Sequence, residues 1–461
     1  MKNNHFEENF LLRSKLARRL YFEVAEDLPI IDFHNHLSVS DLKENRKYKD
    51  LYEAWLANDP YKHRAMRILG VPEKYITGDS EHYEKFFRFC EIFPRLIGTP
   101  LFDWSMMELR RVFGIDIMPS EKTAREIWDR ANDPTRSCEL SIGSILGKFN
   151  IEYSAPCVSL LFDPSALVGA GYSFSARCDD LLSLDIGFFD KLSEITGIGI
   201  KSLESLSEAL EVRLSALSRL GLKFTDHALD SGFVYLPDDG RCAERFSALI
   251  SGKTLSATDR SALVSEILRM LGSCYARYDL LMQLHIGAER KTSDRLRAAA
   301  GAQGGFAAIG DGVSVSSLVG VLRDIENLGG LPKTLVFTLN PADHARISTL
   351  SGSFSRDGVS AVVSEGAAWW WCDHLQGMRE LFDHLASYSV LDSFFGMTTD
   401  SRSPLSFVRH DYFRRALCAW IGDGVERGEL FGSFELWKRV VEDVCYKNAK
   451  NFIDGGLSNA L

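Results

Sequence analysis

The sequence predicts a (β/α)8 TIM-like barrel, folded as a single domain over residues 1–461, with a large helical insertion after the first strand. A chain of 461 residues is long enough for one decorated barrel. Eight short apolar or β-branched stretches alternate with amphipathic helical stretches, which is the order of parallel βα units. Histidine, aspartate and arginine residues stand at the ends of several of these strands, where a barrel carries its active site.

The elements follow in chain order. Residues 7–25 have apolar residues at helical spacing and predict an opening helix, which Pro29 separates from a first strand at 30–34. Residues 40–150 show helical segments at 81–93 and 104–114 and no convincing strand, so they predict the insertion. A later helix is predicted at 202–220, with Gly221 as its stop. The other predicted strands are 151–161, 171–177, 222–228, 280–288, 334–340, 361–369 and 392–400.

Composition excludes several classes of protein. Hydrophobic residues make up 45% of the chain and charged residues 25%, as in globular enzymes, and the net charge of −10 argues against binding nucleic acid or anionic membranes. There is no apolar run of 18 residues and no signal peptide pattern. The nine cysteines form no CxxC pair, which favours reduced thiols. We therefore expect a cytoplasmic protein with no membrane or nucleic-acid partner.

The stretch DFHNHL, residues 32–37, carries the first chemical signal. His34 and His36 are two residues apart at the end of a strand, so both side chains project to the same side. Two imidazoles in this position can hold a divalent metal when further ligands come from elsewhere, and Asp400 and His285 are the natural suppliers. The alternative is that the histidines only form hydrogen bonds in the barrel mouth. A lone histidine such as His285 is also common in a protein core.

Charged residues at other strand ends suggest a substrate site. Arg177, Asp226 and Arg402 each lie at or just after a predicted strand end. Asp226 and His227 should face opposite ways, with Asp226 inward. A guanidinium grips a carboxylate by two parallel hydrogen bonds, so Arg177 and Arg402 predict recognition of a substrate carboxylate or hydroxyl. For the arginines of the last long helix we expect a solvated face or charge pairing at a helix end: Arg409, Arg414 and Arg415.

Two further stretches belong near the barrel mouth. Three consecutive tryptophans, beginning with Trp369 and Trp370, cannot all face the core, so at least one is expected to meet the mouth. Indole rings stack on the C–H faces of sugars, although they also serve as ordinary packing. The glycine-rich residues 301–312 match neither a P-loop nor a dinucleotide fingerprint and predict a mobile loop over the site.

Taken together, the motifs resemble those of the uronate isomerases (glucuronate isomerases) of the amidohydrolase superfamily. The matching stretches run in family order over almost the whole chain and include DFHNHL, YKDLYEAWLANDPYKHRAMR, QLHIGAER, WWWCDHLQGM and GMTTDSRSPLSFVRHDYFRR. The resemblance implies a distorted barrel with a helical insertion. It also implies reversible isomerisation of a small sugar acid, D-glucuronate to D-fructuronate and D-galacturonate to D-tagaturonate.

The same resemblance implies roles for individual residues. His34, His36 and Asp400 would bind a divalent metal, with zinc expected, while Tyr61 and Arg402 would line the substrate site with His285 nearby. Proton transfer between C2 and C1 through a cis-enediol needs a base and an acid, for which Asp400 and Tyr61 are candidates. Hydride transfer is the rival mechanism. A homo-oligomer is expected because barrels of this size commonly associate.

The chain departs from the family pattern at three places that are expected to border the pocket. Pro60 and His63 replace a histidine and a tryptophan, and Phe162 stands before Asp163 where an acid is usual. Ala176 and Cys178 replace the tryptophan and proline that flank the arginine. These changes leave two alternatives open: a metal-dependent sugar lactonase or other hydrolase of the same superfamily, and a homologue with altered or lost activity.

Overall fold

A computed structural model describes residues 8–133, 135, 140–301 and 304–455. Its centre is a curled parallel sheet in which seven of the nine strands of the described chain are neighbours, the first five in chain order followed by the last two. The sheet and its surrounding helices form the predicted TIM-like barrel. The strands are β1 (Ile30–Asn35), β2 (Ile151–Ser159), β3 (Ser175–Arg177), β4 (Phe224–Leu229), β5 (Leu281–Ile286), β6 (Ala288–Glu289), β7 (Ala308–Ile309), β8 (Thr334–Thr338) and β9 (Val363–Glu365).

The prediction of a regular eighth strand at 392–400 is wrong. The segment is irregular and joins β1 by two backbone contacts, from Asp400 N to His34 O at 3.0 Å and from His36 N to Ser401 O at 2.8 Å. Positive φ angles at Gly396 (85°) and Asp400 (47°) interrupt an extended conformation. Only glycine fits the first position, because a Cβ there would lie 2.2 Å from the Val444 carbonyl oxygen. The antiparallel pair β6–β7 was not predicted, and the predicted strands 171–177 and 361–369 shorten to β3 and β9.

Helices surround the sheet, and those from α2 to α8 lie between β1 and β2, as the sequence predicts. In the described part of that region, an isolated bridge between Lys47 and Ser141 is the only β pairing. The α-helices of the described chain are α1 (Lys15–Leu20), α2 (Val39–Glu44), α3 (Leu51–Trp55), α4 (Pro60–Ile68), α5 (His82–Ile92), α6 (Pro100–Phe113), α7 (Ala124–Ala131), α8 (Ile142–Leu146), α9 (Ser165–Gly169), α10 (Asp179–Leu182), α11 (Ile186–Thr196), α12 (Leu203–Arg219), α13 (Cys242–Ile250), α14 (Ala257–Arg277), α15 (Asp294–Ala300), α16 (Val315–Asn327), α17 (His344–Ser348), α18 (Leu375–Tyr388), α19 (Val408–Glu426), α20 (Phe434–Glu442) and α21 (Asn448–Gly455).

Serine side chains cap the first turns of two of the predicted helices. The predicted opening helix starts only at α1, because Ser14 caps it by accepting a hydrogen bond from Ala17 N at 2.9 Å, and it continues as a π-helix over Tyr21–Ala25. Glu7, the first residue of that prediction, lies outside the described residues. Helix α12 confirms the prediction for 202–220, and Ser202 closes a capping box with Ser205.

The arginines of α19 are buried, contrary to the expectation of a solvated helix face. This helix packs against α1, α6 and α18 and is buried on nearly all sides. Arg409 donates to Asp373 Oδ2 at 2.8 Å, and Arg414 donates to the Pro29 carbonyl oxygen at 2.9 Å. Arg415 does pair with a residue on its own helix, Asp411, at 3.0 Å. Because each guanidinium has a partner, burial of these charges is compensated.

Among the described helices, none combines the length and apolar character that a membrane crossing requires.

A buried lysine fixes the start of α4. Lys62 Nζ lies 2.6 Å from Asp59 Oδ2 and 2.9 Å from Glu108 Oε2, and all three side chains are almost completely buried. Asp59 also caps α4 by accepting from the backbone N–H groups of Tyr61 and Lys62. The cluster therefore holds two helices of the insertion together, α6 and α4, the second of which carries Tyr61.

We expect Lys62→Met to destabilise the protein strongly. The change leaves two buried carboxylates without their cation, and breaking a buried ion pair costs about 3–5 kcal/mol. Urea unfolding, followed by circular dichroism, measures the loss. Lys201→Met, at an exposed position, is the control and should change the free energy of unfolding little. An unchanged unfolding curve for Lys62→Met would contradict the role given to this cluster.

Candidate active site

The carboxyl ends of the strands open into a cavity of about 810 Å³. This is the end of a barrel where active sites are built. Nine of the ten predicted site residues line it, together with one cysteine that was not predicted: His34, His36, Tyr61, Cys157, Arg177, His285, Trp369, Trp370, Asp400 and Arg402.

His34, His36 and Asp400 converge as the sequence predicts. Asp400 Oδ1 lies 3.1 Å from His34 Nε2 and 2.9 Å from His36 Nε2. The other oxygen, Oδ2, accepts hydrogen bonds from the indole N–H groups of Trp369, at 2.8 Å, and Trp370. These indoles orient the carboxylate so that Oδ1 faces the histidines. Two imidazoles and one oriented carboxylate form a donor set that fits a divalent metal ion.

Cys157 was missed by the sequence analysis. Its Sγ lies 3.2 Å from His34 Nδ1, on the side of the imidazole ring away from Asp400. Strand β2 places it there, two residues before the strand ends. The alternation of a strand whose end faces the barrel mouth could have identified this position.

Asp226 faces inward, as predicted, but it does not line the cavity as a substrate-binding residue would. Its side chain is completely buried, with Oδ1 2.7 Å from His285 Nδ1 and Oδ2 3.4 Å from Arg177 Nε. Burial alone would raise the pKa of Asp226, but Arg177 and His285 hold it well below its usual value. His227 points the opposite way, with Nε2 2.9 Å from the Tyr275 hydroxyl. The expectation of direct substrate contact by Asp226 is therefore corrected.

His285 also lines the cavity, with the side of its ring that points away from Asp226. Its ring stacks on Phe337 with centroids 4.5 Å apart, and it lies 4.5 Å from the ring of His34. Nε2 is buried and has no hydrogen-bond partner among the described residues. His285 can therefore exchange a proton or a hydrogen bond with a molecule in the cavity.

Tyr61 enters the cavity from the start of α4. Its ring meets Trp104 and Trp371 edge-on, and the Arg409 guanidinium lies 5.1 Å from the ring centroid. The hydroxyl is buried and makes no hydrogen bond of normal geometry with the described residues. Burial raises the pKa of Tyr61, so its hydroxyl keeps its proton at neutral pH.

The two predicted arginines differ in how they are paired. Arg177 Nε lies 2.6 Å from Asp179 Oδ2 and faces Asp226, so its charge is largely balanced. Arg402 makes no ion pair or hydrogen bond within the described residues, and burial lowers its pKa. An unpaired guanidinium in a half-buried cavity wall is suited to bind an anionic ligand.

Comparison with known proteins identifies the family. A family model described as glucuronate isomerase matches residues 1–453. The uronate isomerase of Caldanaerobacter subterraneus is 36% identical over 459 residues, covering 97% of this chain and 98% of the relative. The crystal structure of the Thermotoga maritima uronate isomerase has 29% identity and a TM-score of 0.89, covering 97% of this chain and 99% of that one. The glucuronate isomerase of Caulobacter crescentus, at 22% identity, shares the fold with a TM-score of 0.87 over 97% and 96% of the two chains.

This chain belongs to the glucuronate isomerase family. It is an enzyme of the aldose–ketose isomerase class. The donor set and the unpaired Arg402 thus lie in the cavity of an isomerase.

The glycine-rich segment of the isomerase does lie over the cavity. Ala302 and Gln303 are outside the described residues, but Gly305 and Ala307 line the cavity. Arg64 donates to both of their carbonyl oxygens, at 3.4 and 3.3 Å, and Trp371 Nε1 donates to the Ala307 oxygen at 3.2 Å. We call residues 304–307 the strap. These bonds join the strap to α4 through Arg64 and to the tryptophan run through Trp371.

Of the departures from the family pattern, only Pro60 lines the cavity. Ala176 and Cys178 are completely buried, and Phe162 and His63 also lie outside the cavity wall. Asp163 is exposed and accepts hydrogen bonds from Ser165. The expectation that all three altered places border the pocket is therefore wrong for two of them. Pro60 is the first residue of α4, where its missing N–H is not needed.

We expect Gly305→Ala to weaken substrate binding. Gly305 has a φ of +80°, and a Cβ there would lie 2.2 Å from the Pro60 carbonyl oxygen, so the strap must shift. A loss of about 1–3 kcal/mol at such a site corresponds to a rise in KM of about 5- to 150-fold. Steady-state isomerase kinetics measure the change. Gly70→Ala shares the positive φ but meets open space, so its KM should stay at the wild-type value. Equal KM values for the wild type and both variants would show that the close approach of Gly305 to Pro60 does not matter for substrate binding.

Proposed function

We propose that the enzyme interconverts D-glucuronate with D-fructuronate and D-galacturonate with D-tagaturonate by proton transfer through a cis-enediol. The observation that supports this most strongly is the presence, in one cavity, of the His34–His36–Asp400 donor set and the unpaired Arg402. An open-chain hexuronate carries the reacting aldehyde and hydroxyl at one end and a carboxylate at the other. The aldehyde end of the sugar acid matches the His34–His36–Asp400 donor set, and the carboxylate end matches Arg402.

The metal ligands in this proposal are His34, His36 and Asp400, and the expected ion is zinc. Three protein ligands with an open position are typical of catalytic zinc sites. A divalent ion held by these residues would supply Lewis acidity to an oxygen of the substrate.

Asp400 is the proposed base. Its carboxylate removes the proton from C2 and returns it to C1, while the Trp369 and Trp370 indoles keep the carboxylate in a fixed orientation. Tyr61 keeps its proton at neutral pH and donates it to O1 of the substrate. His285, with its free Nε2, accepts the O2 proton, and Asp226 holds the opposite side of its ring. Proton exchange with solvent then moves one proton from His285 back to Tyr61 and completes the cycle.

The carboxylate end of the substrate is assigned to Arg402 and to the terminal nitrogens of Arg177. Arg402 is the stronger candidate because, among the described residues, it makes no ion pair or hydrogen bond, whereas Arg177 is paired with Asp179. The Trp369 and Trp370 rings form the cavity wall against which the sugar carbons pack.

The cellular setting is also inferred. A cytoplasmic enzyme is supported by the eight described cysteines, all of which are free thiols. A homo-oligomer is expected for a barrel enzyme of this size, and light scattering of the purified protein measures it.

Proton NMR in heavy water tests the reaction. Purified, metal-analysed enzyme is incubated with D-glucuronate or with D-galacturonate. We expect a ketose with deuterium at C1, which is the mark of proton transfer through an enediol. A ketose without deuterium would keep the isomerase function and leave two mechanisms, hydride transfer and an enediol route in which the proton is shielded from solvent. No ketose from either sugar would overturn the proposed function, and the same samples would then be tested for hydrolysis of sugar lactones.

We expect Arg402→Lys to raise KM for the hexuronate by about tenfold or more. A lysine keeps the charge but loses the pair of parallel hydrogen bonds that a guanidinium gives to a carboxylate. Initial-rate kinetics at varied substrate concentration measure KM and kcat separately. Arg290→Lys is the matched control, because Arg290 lines the same cavity but is paired with Asp230 at 2.7 Å. A larger effect at Arg290 than at Arg402 would contradict the assignment.

A further inference from the structure

A buried arginine lies behind the Tyr61 ring. Arg409, on α19, places its guanidinium carbon 5.1 Å from the centroid of the Tyr61 ring and 4.9 Å from that of the Trp104 ring. These two rings meet edge-on, with centroids 5.8 Å apart. Tyr61 lines the active-site cavity, whereas Arg409 is 2% exposed and lies outside the cavity wall. Arg409 can therefore act on a bound ligand only through a residue that lines the cavity.

Asp373 holds this arginine in place. Its Oδ2 accepts a hydrogen bond from Arg409 Nη1 at 2.8 Å, and both side chains are almost completely buried. Asp373 lies two residues after Trp371, so the pair joins α19 to the tryptophan run. A guanidinium carries several N–H groups, and one bond to a carboxylate leaves others free to act. The guanidinium is thus fixed by Asp373 and keeps unused donors beside Tyr61.

Three segments of the chain supply the charges that act on the Tyr61 hydroxyl. Arg409 has the largest effect of these charges and lowers the pKa of Tyr61, whereas Asp400 and Asp373 raise it. Burial also raises this pKa, so the resting hydroxyl is protonated. Asp59, at the start of α4, is a further carboxylate that acts on Arg409. The form of Tyr61 that Arg409 favours is the phenolate, which is the form left when an acid has given its proton.

We propose that Arg409 is a positioning residue for the acid step, which fixes the Tyr61 ring and stabilises the phenolate that forms when Tyr61 protonates the substrate. This inference rests on the proposed function, because it assumes that Tyr61 is the acid. In that step the Tyr61 O–H bond breaks, the proton bonds to O1 of the sugar acid, and the negative charge stays on the phenolic oxygen. Arg409 neither gains nor loses a proton. A cation that is already in place when this charge develops lowers the barrier, since the site need not reorganise.

A double-mutant cycle with Tyr61 tests the proposal. Arg409→Gln is combined with Asp373→Asn, so that no buried carboxylate is left without its cation, and circular dichroism checks the fold. We expect the combined changes to lower kcat by about 10–100-fold with little change in KM, because the phenolate charge develops only in the transition state. In a Tyr61→Phe background the same changes should lower kcat little further, since Arg409 then has no hydroxyl to act through.

Two control variants separate charge from structure. Arg409→Lys keeps a buried cation beside Asp373, so it should retain more of the wild-type kcat than the neutral combination. Arg414→Gln removes another buried arginine of α19, whose hydrogen bonds go to backbone oxygens. Whatever loss of kcat Arg414→Gln causes should appear in full in the Tyr61→Phe background. An Arg409→Lys enzyme as slow as the neutral combination would show that the positive charge does not matter, and would overturn the proposal.

Fluorine NMR gives a readout that does not depend on activity. Fluorotyrosine is incorporated in place of Tyr61, because fluorine lowers the pKa of the phenol and provides one resonance to titrate. We expect this titration to shift to higher pH when Arg409→Gln and Asp373→Asn are combined, since Arg409 is the charge with the largest effect on the hydroxyl. Arg414→Gln should leave the titration where it is. An unchanged or lower pKa in the neutral combination would contradict the role of Arg409.

The outcomes separate this inference from the proposed function. No ketose from the wild-type enzyme would overturn the proposed reaction, and an undiminished kcat in Tyr61→Phe would overturn the proposed acid. Either result would remove the role of Arg409 as well. A slow Tyr61→Phe enzyme that loses the full 10–100-fold again when Arg409 is neutralised would leave the acid standing and overturn only the role of Arg409.

Discussion

The buried carboxylate of Asp32 is the interaction on which the active site depends. It accepts hydrogen bonds from Asn35 Nδ2 at 3.1 Å, Thr398 Oγ1 at 3.2 Å, Thr399 N at 3.1 Å and His410 Nε2 at 3.0 Å. Burial opposes the negative charge, but these donors lower the pKa of Asp32 below its usual value. One side chain thus ties β1 both to the chain that leads to Asp400 and to α19.

The consequence of this connection is the placement of Asp400 opposite two histidines that are more than three hundred residues away in sequence. Next to Asp32, the carbonyl oxygen of His34 accepts from Asp400 N, and the backbone N–H of His34 donates to Thr398 Oγ1 at 2.8 Å. The left-handed φ of Asp400 then turns its side chain out of the extended path and toward the imidazoles. Such a conformation costs about 1–3 kcal/mol and persists only where surrounding bonds over-determine it. The Asp32 network supplies those bonds.

Sequence reasoning located the histidine pair, the partner aspartate and most strands, because each depends on a local pattern of alternation or on a strand end. It failed where distant contacts decide. Asp226 was expected at the substrate, but Arg177 from the neighbouring strand and His285 occupy its two oxygens. Arg409 was expected at a solvated face, although Asp373 and Tyr61 bury it. The pattern of residues within one segment does not reveal which oppositely charged residue of another segment the fold will place next to it.

The three consecutive tryptophans show how parts of the site that are separate in sequence are joined physically. Trp369 and Trp370 bind Asp400, while Trp371 contacts Tyr61 and holds the strap through the Ala307 carbonyl. The left-handed φ of Trp370 lets the run place neighbouring rings on the metal side and on the strap side of the cavity. Packed aromatic rings thus run continuously from the strap to Asp400, with centroids 6.1 Å apart between Trp371 and Trp370 and 4.6 Å apart between Trp370 and Trp369. Indole rings suit this wall better than aliphatic side chains, because they provide both a packing surface and the N–H groups that fix the Asp400 carboxylate.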